Sequence, residues 1–179
     1  MNAGKLSYAA DFDAPALIQD LLSAADVVIE SSRPAALTRR GLGPHNVTLR
    51  DGRVWLRITG HGAEGEYADW VAFGDDAAVS GGLIGTANDG PVFCGDPIAD
   101  PLTGLHAALT VADSLARGGG ELIEMSMAAV AATYVKLPIE PAESLCPAEP
   151  PLPKAPASKL GADNAEVDRL LSERRLAAC

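Results

Sequence analysis

The apolar positions of this chain recur with two periods, and the alternation between them predicts an α/β fold. Leu17, Ile18, Leu21 and Leu22 fall at i, i+1, i+4 and i+5 and share one helical face, so a helix is expected to open at Asp13 or Ala14 with Pro15. Before it, Leu6 to Phe12 has the short extended look of a strand. After it, Asp26-Val27-Val28-Ile29-Glu30 is a β-branched run between polar residues, which reads as a buried parallel strand. Strand, helix and strand in this order make a βαβ unit. A short helix is expected from Pro34 to Arg40, stopped by Gly41. Arg53 to Thr59 alternates and predicts a strand that runs into the flexible Gly60-His61-Gly62 loop.

Further along, Ala77 to Gly85 is small and apolar and reads as a helix, and Asn88-Asp89-Gly90 reads as a turn. A helix follows Pro101 to about Arg117, with Leu102, Leu105, Leu109 and Ala112 on its apolar face. Gly118-Gly119-Gly120 breaks it. Those glycines lack the lysine and spacing of a phosphate loop, so a helix-to-strand connection is expected. Glu121 to Met125 predicts a strand and Ser126 to Tyr134 a helix. From Leu137 to Pro156 seven prolines rule out helix or central strand and leave an extended strap. Ala165 to Arg175 closes the pattern as a helix with Val167, Leu170 and Leu171 as its stripe. Three segments are expected: an α/β domain over 1–136, a Pro-rich linker over 137–160 and a C-terminal helix over 161–179.

Composition narrows this picture. Aromatic residues are only 4% of the 179, so Ala, Val, Leu and Ile must build the core. The formal net charge of -10 argues against nucleic acid as a partner, although an anionic ligand at a local basic site stays compatible with it. No apolar run is long enough to span a membrane, and Met1 to Lys5 lacks the apolar core of a signal peptide. Cys94, Cys146 and Cys179 have no metal-ligand spacing and are expected to be free thiols in a reducing cytoplasm. His61 has no companion at metal spacing either, so no metal site is expected.

Candidate chemistry gathers at two points. Ligands in open α/β sheets bind beyond the carboxyl ends of strands, which puts Ser31, Ser32 and Arg33 in a binding loop. Arg39 and Arg40 fall in the last turn of the next helix. They either offset its dipole or meet a phosphate, and the residues alone do not separate the two. In Val92-Phe93-Cys94-Gly95-Asp96-Pro97-Ile98-Ala99-Asp100-Pro101, Pro suits the first helical position, which makes Asp100 the N-cap. A carboxylate there is an anion held by backbone N–H groups. It is either a cap alone or a reactive group.

Several pieces in their order resemble the class III coenzyme A-transferases, the CaiB/BaiF type that includes formyl-CoA transferase, the carnitine CoA-transferase and α-methylacyl-CoA racemase. They are Gly4-Lys5-Leu6-Ser7, Ala25 to Pro34, Ile58-Thr59-Gly60-His61-Gly62 with Tyr67-Ala68-Asp69, Pro97-Ile98-Ala99-Asp100 with Gly104, and Leu160 to Asn164. The resemblance implies an incomplete Rossmann-like, mostly parallel sheet with flanking helices. It implies Asp100 as the nucleophile that takes an acyl group from acyl-CoA as an anhydride, then CoA as a thioester, and passes CoA to an acceptor carboxylate. It also implies Lys5, Ser31, Ser32 and Arg39 at the nucleotide end of CoA, with CoA as a substrate and no further cofactor. A homodimer or a companion subunit is expected, since the family's opening strand and its small middle domain have no counterpart in these residues. The alternative is a non-catalytic scaffold or partner subunit. Racemase chemistry comes third, because the position of that branch's basic His is Asp75 here.

Overall fold

The computed structural model describes residues 2–47, 50–137 and 155–177. In chain order its elements are α1 (Pro15–Ala24), β1 (Val27–Glu30), α2 (Pro34–Thr38), β2 (Val54–Thr59), α3 (Gly74–Ser80), β3 (Ile84–Ala87), β4 (Gly90–Phe93), α4 (Ala99–Ala116), β5 (Leu122–Ser126), α5 (Met127–Tyr134) and α6 (Asn164–Ala177). They fall into two compact units, one of Ala25–Pro138 and one joining Met1–Ala24 to Ile139–Cys179. Most of the strap, residues 138–154, lies outside the described residues.

The larger unit is built on a three-stranded sheet in the order β1-β2-β5, parallel throughout. The β-branched runs form strands as expected, but β1 is buried on one face only. Val28 and Glu30 are enclosed, while Ile29 between them is 67% exposed. Side chains alternate across the sheet, so one face carries Val54, Leu56 and Ile58 of β2, and the other Trp55, Arg57 and Thr59. Ile58 packs at the margin of a core made of Ala77, Ala78, Ala99, Met127 and Ala131. Small residues let α3, α4 and α5 approach closely. A Cβ at Gly81, at the end of α3, would stand 2.5 Å from the Ala128 carbonyl oxygen.

Several expectations are corrected. The helix expected over Ala77 to Gly85 begins at Gly74, stops at Ser80, and is followed by an antiparallel hairpin, β3 with β4. Asn88 and Asp89 make its turn, as expected. The apolar face of α4 is also different. Ala99, Thr103, Ala107 and Ser114 are the buried residues, whereas Leu105 and Leu109 are 62% and 66% exposed. Close packing against β2, β5 and α5 selects the smallest side chains of the helix and turns its leucines outward. The three glycines after α4 form the helix-to-strand connection, all with positive φ, and a Cβ at Gly119 would lie 2.0 Å from the Gly52 carbonyl oxygen.

In the smaller unit, the strand expected over Leu6 to Phe12 is irregular. Its backbone is satisfied by side chains instead of by a neighbouring strand. Ser7 N donates to Asp163 Oδ2 at 2.8 Å. Ala9 N donates to Asn164 Oδ1 at 2.9 Å, and Asn164 Nδ2 donates to Ala9 O at 3.1 Å. The carboxamide of Asn164 thus offers the donor and acceptor of a peptide group, which removes the need for a ladder. With the first strand gone, the βαβ unit reduces to α1 and β1. Arg175 pairs with Asp20 and ties α6 to α1.

Candidate active site

The carboxyl ends of β1 and β2 open into a cleft of about 330 Å³. Ser31, Ser32 and Arg33 form one wall, as the strand-end rule predicts. Ile58, Thr59 and Gly60 at the end of β2, Met127, Ala68 and the segment from Trp70 to Phe73 form the rest. Gly60 is needed there, because a Cβ would stand 2.6 Å from that of Ala72. The Gly60 carbonyl oxygen accepts from Ala128 N at 3.0 Å and from Ser126 Oγ at 3.2 Å, which holds the loop to the start of α5. Trp70 also borders a second cavity, of about 500 Å³, with His61, Tyr67 and residues of α5. Tyr67 and Trp70 meet edge to face with ring centroids 4.7 Å apart.

Beneath the cleft lies a charge network that sequence reasoning missed. Glu30, Arg57 and Glu124 are partners in register across the three strands. Arg57 Nη1 donates to Glu124 Oε1 at 2.9 Å, and Arg57 Nε and Trp55 Nε1 donate to Glu30 Oε2 at 3.4 and 3.0 Å. Ser32 Oγ donates to Glu30 Oε1 at 3.2 Å. The Glu30 side chain is 1% exposed and that of Arg57 10%. The available signal was parity: Glu30 and Arg57 each interrupt an apolar run at a strand position where a charge demands a partner.

Asp100 is not the N-cap. Gly95 to Ile98 already turn, with Ile98 N donating to Gly95 O at 3.0 Å, so α4 starts at Ala99 with Ile98 as its N-cap. Asp100 is the second residue of the helix, and its own N–H donates to Pro97 O at 3.1 Å. Pro101 is the third, and it fits because none of the first four N–H groups of a helix has an intrahelical acceptor. The carboxylate stays at the positive end of the helix, exposed, with no hydrogen bond or ion pair among the described residues. It lies against the start of α3, where a Cβ at Gly74 would fall 2.6 Å from Asp100 Oδ2. Phe73, the neighbour of Gly74, lines the cleft. The α3 terminus is capped by Asp76, whose carboxylate accepts from Phe73 N at 3.1 Å.

Ser31 and Ser32 thus share one cleft; Asp100 does not line it but lies against Gly74, the neighbour of the cleft-lining Phe73. Arg39 is exposed in the turn after α2, not in its last turn, and engages no partner among the described residues. Arg40 Nη1 donates to Ala36 O at 3.2 Å and so serves the end of α2. Lys5 belongs to the smaller unit, where its Nζ donates to Asn2 Oδ1 at 3.4 Å. Among the described residues no three His, Cys, Asp or Glu side chains are grouped to hold a metal ion. No helix among them is long and apolar enough to cross a membrane.

The model of CoA-transferase family III matches residues 1–144. The chain belongs to that family. It is 30% identical over 139 residues to succinate–glutarate CoA-transferase of Agrobacterium fabrum, which covers 70% of this chain and 34% of that protein. It is 30% identical over 120 residues to succinyl-CoA–D-citramalate CoA-transferase of Chloroflexus aurantiacus, covering 63% and 30%. A CaiB/BaiF family protein from Brucella suis superimposes with a TM-score of 0.68 at 29% identity, over 75% of this chain and 39% of that one. The chain therefore spans about a third of the length of the curated relatives it matches. The CaiB/BaiF fold is that of a mostly parallel sheet flanked by helices, as the residue pattern and the resemblance implied.

Proposed function

We propose that this family III chain takes part in moving CoA between an acyl-CoA and a carboxylic acid, with Asp100 as the nucleophile. The observation that carries the reading is the Asp100 carboxylate: unpaired and exposed at the positive end of α4, beside a cleft at the carboxyl ends of β1 and β2. An Asp oxygen attacks the thioester carbonyl, and CoA leaves as the thiolate, giving a mixed anhydride. The thiolate then attacks the aspartyl carbonyl, which forms the aspartyl thioester and frees the first carboxylate. An acceptor carboxylate repeats the exchange in reverse and regenerates Asp100. Each step is an acyl exchange without net oxidation, so CoA enters as a substrate and no further cofactor is needed.

Ser31, Ser32 and Arg33 meet the nucleotide end of CoA in this reading. Arg39 is available for a charge-assisted bond to a phosphate. Incubation with succinyl-CoA followed by intact-protein mass spectrometry tests it. A mass increase that survives in the wild type and is absent from Asp100→Asn is expected. A wild type that binds CoA yet never acquires an adduct overturns the nucleophile and leaves a non-catalytic scaffold as the better account.

A further inference from the structure

A serine hydroxyl has one hydrogen to give, and at Ser32 that hydrogen is committed. Ser32 Oγ lies 3.2 Å from Glu30 Oε1, and a carboxylate only accepts. Glu30 cannot turn away to release it. Its other oxygen is occupied by the Trp55 indole N–H and the Arg57 guanidinium, and the side chain is almost fully enclosed. What Ser32 offers to the cleft it lines is therefore a lone pair. We propose that Glu30 is a positioning residue that fixes the polarity of Ser32, so that this point of the cleft accepts a hydrogen bond and selects a ligand N–H donor, rejecting a phosphate or carbonyl oxygen. The inference rests on the CoA reading above, and it divides the loop: phosphate oxygens belong with cationic side chains, and Ser32 with a nitrogen. CoA carries such donors in two places, the exocyclic amine of adenine and the amide N–H groups of pantetheine.

The buried pairing supplies its own test. In Glu30→Gln, the side-chain carbonyl oxygen stays where Trp55 and Arg57 donate, so the amide nitrogen faces Ser32. That nitrogen donates to Ser32 Oγ, and the Ser32 hydrogen turns towards the cleft. The substitution inverts the polarity of a residue it does not replace. Calorimetry on the full chain compares CoA, adenosine 3′,5′-bisphosphate, inosine 3′,5′-bisphosphate and pantetheine as probes. Inosine presents a carbonyl oxygen where adenine presents its amine. If the adenine amine is the donor, the wild type prefers the adenosine probe by about 2- to 10-fold, Glu30→Gln reverses the preference, and Ser32→Ala abolishes it. If a pantetheine amide is the donor, Ser32 moves from the nucleotide end to the pantetheine arm, the purine preference is absent, and both substitutions weaken CoA and pantetheine by a similar factor. Ser32→Ala removes only the bond to Glu30 Oε1, keeps those of Trp55 and Arg57 to Oε2, and decides the matter should Glu30→Gln fail to fold. Wild-type CoA binding with all four affinities unchanged in Ser32→Ala overturns the assignment of Ser32 and Glu30 alone. A wild type that binds no CoA overturns the CoA reading and this inference with it.

Discussion

Asp100 sits one residue inside α4, and that offset changes what its replacement should cost. A true N-cap lost to Ala costs about 0.5–2 kcal/mol. At the second position no cap bond exists, and only the attraction to the helix dipole remains, about 0.3–1 kcal/mol at an exposed site. Asp100→Asn and Asp100→Ala should therefore both unfold in urea within about 1 kcal/mol of the wild type while acyl capture disappears. A larger loss for Ala than for Asn would restore the cap. Proline patterning pointed to the right turn but not to the right residue, because Pro101 is tolerated throughout the first turn and so does not mark its start. The Glu30–Arg57–Glu124 set was hidden for a different reason. Each residue is visible in the sequence, but their pairing exists only once the register is known.

At the scale of elements, what was legible depended on how local the signal was. β1 follows from a β-branched run, β2 from its alternation, and α6 from its spacing. The hairpin β3–β4 carries Gly85 and Pro91, poor strand residues, and is held by its pairing and turn. The buried face of α4 was decided by how near its neighbours come, which no helical wheel contains. Two predictions belong here. Gly119→Ala forces a Cβ into the Gly52 carbonyl oxygen at φ +67°, so it should destabilise the larger unit by about 1–3 kcal/mol, read as a lower urea midpoint. A neutral result would mean that the 52–119 contact is absent in solution.

In α6, Arg169 bridges Glu166 at 2.7 Å and also reaches Glu173. The hydrogen bond to Arg169 holds the Glu166 carboxyl below its ordinary value of 4.5. A depressed folded-state value means stabilisation that is complete above the unfolded value and lost as pH falls through the folded one. Amide protection in α6, corrected for intrinsic exchange, should therefore drop on acidification below about pH 4, and less so at high salt. Protection that is flat through this range would dismiss the bridge as a contributor.

For the whole molecule, the exposed side of α4 matters most. Leu105, Leu109 and Leu115 of one helix are 62, 66 and 44% exposed, while the chain carries a formal net charge of -10. Charge favours dispersal and an apolar helical face favours association. We propose that the face associates with a second copy of the chain. Sedimentation velocity should show a species larger than the monomer that Leu105→Glu with Leu109→Glu dissociates. A wild type that stays monomeric at micromolar concentration contradicts this.

The three charges beneath the cleft also bear on how the sheet finds its order. The central strand alone carries the cation, and each outer strand carries a carboxylate at the matching step. Were β1 and β5 to pair directly, Glu30 and Glu124 would become neighbours and repel. A one-residue slip would send a charge to the opposite face, among Leu56, Ile58 and Met125. Apolar strands of similar composition could exchange places at little cost; these cannot. The three residues, one of which holds the cleft-lining Ser32, thus act as an address, written in charge, that tells each strand which neighbour to take and at which residue to stop sliding.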